Sequence, residues 1–154
     1  MANTGFTITI ANDHVKDVLE ELAKRRTVSL ELCGQQAERN AKINIEHSPR
    51  RVDTGLLRNS VTHALAGEGP AISSYSGDNP SRYGGDGSIP SGSYSGSAPD
   101  GVDTVYIGTN VEYAIYVHEG TQRMSPNHFI RDAMGPHKEE YKKIIEQVLK
   151  GQQQ

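Results

Sequence analysis

His118-Glu119 is where this sequence comes closest to a catalytic signature. A zinc protease needs His-Glu-x-x-His on one helix, so that two imidazoles a turn apart grip the metal while the glutamate serves as base. Position 122 is Gln122, so that second ligand is absent. His47, His63, His118, His128 and His137 stand at no local metal-ligand spacing, and isolated histidines of this kind are usually surface or half-buried structural groups. Asp53-Thr54-Gly55 is the second temptation, because aspartic proteases use this triplet. They need two such carboxylates sharing a site, and this chain has one triplet, so a protease would require a symmetric dimer. Arg50, Arg51 and Arg58 nearby would favour the ionised carboxylate over a shared proton. Read as turn chemistry, the triplet is a side-chain acceptor followed by a residue free to take positive φ. There is no Gly-x-Ser-x-Gly elbow and no phosphate-binding Gly-Lys-Ser/Thr. The expectation is a protein that is not an enzyme and needs no metal or cofactor.

Composition narrows the class further. A chain of 154 residues is one domain by default. The net charge of -3 gives no global basic field for wrapping nucleic acid. The single cysteine, Cys33, excludes an internal disulfide framework and any Cys-x-x-Cys site; on the apolar face of a helix it reads as a small buried thiol. No apolar run approaches a membrane span, and the first residues lack a basic start and an apolar core. The expectation is folding in a cytoplasm with no membrane partner.

Several elements can be laid out from periodicity. Phe6, Ile8 and Ile10 alternate with threonines, the pattern of a short strand. Asn12 or Asp13 caps a helix with Val15, Val18, Leu19 and Leu22 on one face, closed by Lys24, Arg25 and Arg26 at the negative end of its dipole. A second helical phase carries Leu30, Cys33, Ala37, Ala41 and Ile45 to about Glu46, and Thr27 leaves open whether the two are continuous. Ser48-Pro49 ends it. After the Asp53-Thr54-Gly55 turn, Leu57 to His63 reads as a strand.

Residues 66–101 are different in kind. Gly, Ser and Pro dominate, and Ile72 and Ile89 are the only aliphatic residues larger than alanine. Such a stretch cannot bury enough apolar area to offset its ordering entropy, so it reads as a long insertion loop between two strands. Tyr75, Tyr83 and Tyr94 punctuate it. Tyrosine offers large contact area at low entropy cost, which makes these three candidate inter-subunit contacts; the bland alternative is a floppy surface loop.

The unit that organises the chain runs from Val102 to Arg131. Val105 and Ile107 alternate with Thr104 and Tyr106 in a strand that Gly108 breaks. Asn110 is placed to cap a short helix whose Val111, Ala114, Ile115 and His118 share a face. Gly120 follows as the residue that takes positive φ, and Ser125-Pro126 starts the next helix. Asn127 to Met134 is helical, with Phe129, Ile130 and Ala133 available for packing. Pro136 opens a last helix with the stripe Tyr141, Ile144, Ile145, Val148 and Leu149, before a frayed tail over 151–154. The predicted fold is α+β: a small, mostly antiparallel sheet from strands near 6–11, 57–65 and 102–108, packed against an N-terminal helical segment and a C-terminal helix, with the Gly/Ser/Tyr-rich loop inserted.

These residues carry a resemblance. Val52-Asp53-Thr54-Gly55-Leu56-Leu57-Arg58-Asn59-Ser60 comes first, preceded by Pro49. Then come Val105-Tyr106-Ile107-Gly108-Thr109-Asn110-Val111-Glu112-Tyr113-Ala114, Val117-His118-Glu119-Gly120-Thr121, and Phe129, Arg131 and Ala133. The ordered set resembles the small head–tail connector, neck or tail-completion proteins of long-tailed double-stranded-DNA bacteriophages, also called minor tail proteins. It spans nearly the whole chain apart from the insertion. Two departures are His118 before Glu119 and the length of the insertion. The resemblance implies a non-enzymatic virion protein, assembled in the host cytoplasm into a closed homo-oligomeric ring of about six, or about twelve, copies at the neck. Head-closure or adaptor proteins and tail-terminator or tail-tube proteins would be its neighbours, and DNA would pass through the lumen without sequence-specific binding. A mildly acidic subunit suits that passage, since a basic lumen would hold phosphates. The competing class is a non-viral oligomeric binding module that recognises carbohydrate or peptide through the tyrosine-rich loop.

Overall fold

The computed structural model describes residues 14–47, 54–67, 70–77, 89–97 and 103–151. The expected strand at 6–11 and the residues Val52, Asp53 and Tyr83 lie outside them, as do the last three of the tail.

One helix, α1 (Val15–Glu46), runs straight through Thr27, so the two helical phases are continuous. At 1.5 Å per residue it is about 48 Å long. Lys24, Arg25 and Arg26 are therefore mid-helix, not at its C-terminal end, which corrects the dipole reading. The Arg25 and Arg26 guanidinium groups reach other elements. Arg25 donates to Glu21 at 2.9 Å and to the Leu149 carbonyl at 3.1 Å, so it closes the end of a different helix, α5 (Lys138–Leu149). Arg26 pairs with Asp103 at 2.8 Å, and Asp103 holds a positive φ of 59° just before the last strand. Continuity has a sequence reason: neither glycine nor proline occurs between His14 and Cys33. Gly34 is the exception inside the helix. A Cβ there would lie 2.4 Å from the His63 ring, so the glycine lets α1 cross the sheet closely.

The stretch expected as a strand from Leu57 begins instead as α2 (Leu56–Ser60). Gly55 sits at φ 80° and starts the turn, the Asn59 amide donates back to its carbonyl at 3.0 Å, and Leu57 and Ser60 are both buried. Burial at i and i+3 is the helical period, which outweighs the alternation read from sequence. Strand pairing begins with β1 (Thr62–Leu65).

Residues 66–101 are not a featureless loop. They contain β2 (Pro70–Ser76) and β3 (Ser91–Ser97), paired antiparallel from Pro70↔Ser97 to Ser76↔Ser91. The composition argument fails here because a ladder is made by backbone groups and does not need aliphatic side chains. The Tyr75 ring lies over Gly92, where a Cβ would be 2.8 Å from it, so an aromatic covers the bare glycine opposite. The other sheet pairs β1 antiparallel with β4 (Val105–Gly108), from Thr62↔Gly108 to Leu65↔Val105. Two separate two-stranded sheets replace the single expected sheet, and α+β stands as the class.

The remaining helices are short. α3 (Ala114–Glu119) starts later than expected, with Tyr113 and not Asn110 at its cap position. Its inward face is Ala114 and Val117, while Ile115 is exposed. α4 (Phe129–Met134) starts at Phe129, not at Ser125-Pro126. The Asn127 amide is already committed to the Val117 carbonyl at 2.9 Å, which holds the chain before α4 out of a helix. The core is where α1, α2, α3 and α4 meet: Ala41, Ile45, Leu57, Val61, Phe129 and Ala133 are buried together, with Ile107 and Met124 against them. Fully burying Phe129 and Ile45 contributes on the order of 2 kcal/mol each.

Candidate functional site

The family-like motif residues gather at two places. The first is the junction between α2, β4 and the β2–β3 ribbon. Thr54 Oγ1 accepts from the Leu56 amide at 3.3 Å, a side-chain turn ahead of Gly55. Ser60 Oγ donates to the Leu57 carbonyl at 2.8 Å and lies 2.5 Å from Thr109 Oγ1, which also accepts from the Val111 amide at 3.2 Å. With the Ser60 proton on Leu57, the Thr109 proton goes to Ser60, and α2 is tied to the segment after β4. Asn110 spends its side chain on the ribbon. Its Nδ2 donates to the Ser93 carbonyl at 2.9 Å, and its Oδ1 accepts from the Tyr75 hydroxyl. Asn59 holds the other strand, donating to the Ser76 carbonyl at 2.6 Å. Beside Asn59 lies a polar cleft of about 590 Å³ lined by Lys42, Asn59, Ser74, Tyr75 and Ser91. Asn110 is thus a ribbon clamp and not a helix cap. Tyr94, half-buried, sits opposite Ser73 in the ladder. Arg58 ties α2 to α1 through Glu46 at 2.6 Å. Gly108 closes β4 with open space around its α-carbon, so the position is not glycine for want of room.

The second place is the turn between α3 and α4. Gly120 takes φ 80°, and a Cβ on it would lie 2.8 Å from the Met124 carbonyl oxygen and 2.8 Å from the Pro126 nitrogen. Thr121 and Met124 exchange amide–carbonyl bonds at 2.8 and 3.2 Å, which doubles the chain back. This carries His128 against His118, ring centroids 5.2 Å apart and edge to face; Phe129 meets His118 in the same manner at 5.3 Å. His118 Nδ1 lies 2.7 Å from a Glu119 carboxylate oxygen. That hydrogen bond, with the positive groups around it, holds the exposed Glu119 carboxyl below its usual range. Sequence spacing missed the His118–His128 pairing because the turn, not helical periodicity, creates it. The available signal was Gly120 with Pro126 between two histidines. Tyr113 is exposed and Arg131 points outward beside Asp132, while Phe129 is core.

Two other features were not read from sequence. His63 on β1 lies between Glu38 at 2.7 Å and Glu31 at 3.1 Å, one ring nitrogen to each, and Lys42 reaches Glu38 at 2.5 Å. The Glu38 hydrogen bond first, then Glu31, raises the His63 pKa against the burial that would lower it. For both carboxyls burial is the larger single effect, but hydrogen bonds and positive charge together outweigh it and lower their pKa values. On the same face of the sheet, an apolar groove of about 490 Å³ runs between α1, β4, α4 and α5, lined by Leu30, Cys33, Val105, Ile107, Met134 and Tyr141. Burial pushes the Cys33 thiol up, so it is a weak nucleophile.

Compared with known proteins, the chain matches no protein-family model, no curated protein and no solved structure. No described helix is long and apolar enough to cross a membrane.

Proposed function

We propose that this protein is a structural subunit of a phage neck, a head–tail connector or tail-completion protein. In this reading it assembles into a homo-oligomeric ring through which DNA passes, between head-closure or adaptor proteins on one side and tail-terminator or tail-tube proteins on the other. The observation that carries the assembly is the exposed apolar stripe on the N-terminal end of α1. Every residue from His14 to Lys24 is exposed, and Val15, Val18, Leu19 and Leu22 form an apolar stripe there, with Leu19 60% exposed. A surface helix that presents its apolar face to solvent is suited to packing on another chain. Ile115 and Tyr116 on α3 add exposed apolar area. The identity of the assembly rests on the ordered motif set, whose Gly55 and Gly120 both occupy positive-φ turns. The ribbon, clamped at Asn59 and Asn110, offers an arm that can reach a neighbouring subunit, with Tyr75 and Tyr94 on it. Catalysis plays no part in this reading, and the protein acts in the virion after assembly in the host cytoplasm.

A nonsense mutation in the gene, made in the genome that carries it, tests this. Filled heads and free tails that fail to join, rescued by the protein supplied in trans, are expected. Normal particles in its absence would reject the reading.

A further inference from the structure

We propose that His118, Glu119 and His128 form a binding site for a divalent transition-metal ion of the zinc class, which clasps the end of α3 to the start of α4. The three side chains each offer one ligand atom, and these atoms all lie within 4.8 Å of one another. Two imidazoles and one carboxylate are a donor set that suits zinc. In a tetrahedral site with bonds near 2.1 Å the ligand atoms stand about 3.4 Å apart. The set must therefore contract by up to about 1.4 Å at its widest, and Glu119 is able to move because it is exposed and bonded to His118 alone among the described residues.

An independent observation points to a ligand. His128 Nδ1 is buried and has no hydrogen-bond partner among the described residues. Buried polar atoms are ordinarily paired. The His128 ring meets His118 edge to face, and no described group hydrogen-bonds that nitrogen. A metal ion would occupy its lone pair. The turn is constructed for the approach: Gly120 admits a reversal that any side chain would block, and the Asn127 amide is fastened to the Val117 carbonyl at 2.9 Å, which fixes where His128 begins. The backbone that presents the donors is therefore in place before any ion arrives. With three protein donors and the carboxylate at the surface, the remaining position faces water. The role that follows is structural, closing the loop 120–128 and stiffening the α3–α4 corner. This departs from the sequence expectation that no metal is used, because that expectation weighed local spacing only.

The test uses the full chain without a polyhistidine tag, titrated with Zn²⁺ against a chromophoric chelator, and with Co²⁺ for its absorption spectrum. One Zn²⁺ per chain is expected, with a rise in melting temperature that EDTA reverses and a Co²⁺ spectrum typical of nitrogen and oxygen donors. His118→Gln and His128→Gln should each weaken binding by more than about tenfold, the scale on which even outer partners of metal ligands matter. Glu119→Gln, at an exposed position that cannot unfold the chain, should weaken it in the same direction and alter the Co²⁺ spectrum. His47→Gln, on the exposed end of α1, should change nothing. Absence of stoichiometric binding to the folded wild type would overturn the proposal, as would binding and spectra unchanged by Glu119→Gln and the two histidine variants.

Discussion

Asn44 and Asn127 are joined directly: the Asn127 side-chain amide donates to the Asn44 backbone carbonyl at 3.0 Å. The Asn44 side chain in turn donates to the Phe129 carbonyl at 3.2 Å, so α1 is fastened twice to the segment that leads into α4. Asn127 is buried, and its carbonyl also receives the Phe129 amide at 2.8 Å. Asn127→Ala removes the donor and leaves the Asn44 carbonyl beside it poorly solvated. It should cost about 1–3 kcal/mol, read as a lower midpoint in chemical denaturation. A midpoint equal to wild type would mean that water replaces the bond without loss.

Gly55 holds φ 80° at the start of α2. An alanine there must either adopt the left-handed region or shift the turn. Gly55→Ala should destabilise the subunit by roughly 1 kcal/mol or more. A melting temperature identical to wild type would count against the turn being set by that residue.

The His63 cluster fixes a pH dependence. His63 is raised from its ordinary value of 6.5, so its contribution is complete below about that pH and is lost as pH rises through the folded value. Glu31 and Glu38 are lowered from 4.5, so their contribution is complete above that pH and is lost as pH falls through their folded values. The cluster is therefore most stabilising between about pH 4.5 and 6.5. Thermal melts should show wild type losing more stability than His63→Gln between about pH 6 and about pH 8. Parallel curves for the two proteins would remove His63 from the account.

The ribbon is fastened to the body by side chains, so its fastening can be cut without touching the core. Asn110→Ala combined with Tyr75→Phe should raise amide exchange across 70–76 and 91–97 while the protection of α1 and α5 stays as it is. Deleting residues 70–97 should change subunit stability little, since loop length costs little, yet weaken assembly. Full assembly by the deletion would make the ribbon a passive insertion.

The legible parts of this fold were those governed by local chemistry. Gly55 and Gly120 announce their turns because positive φ has few other occupants, and the stripe Tyr141, Ile144, Ile145, Val148 reads as a helix because 3.6-residue periodicity survives at the surface. Burial of Leu57 with Ser60 was not legible, since one helical turn after a glycine leaves too few residues for a period. The β2–β3 ribbon was hidden because its composition reports the lack of an apolar core and says nothing of backbone pairing. Asn110 reads as a cap on local grounds, but Tyr75 and Ser93 claim it from another element. His118 and His128 meet through a turn, and side-chain periodicity carries no information about that.

The proposed function requires the subunit to close into a ring through the exposed apolar face at the N-terminal end of α1. Native mass spectrometry of the purified protein, paired with electron microscopy of the same sample, measures this most directly. One closed cyclic species is expected for the wild type, with collapse to monomers in Leu19→Asp/Leu22→Asp, two changes at exposed positions outside the core. A monomer at all concentrations, or rings undiminished by the double variant, would contradict it.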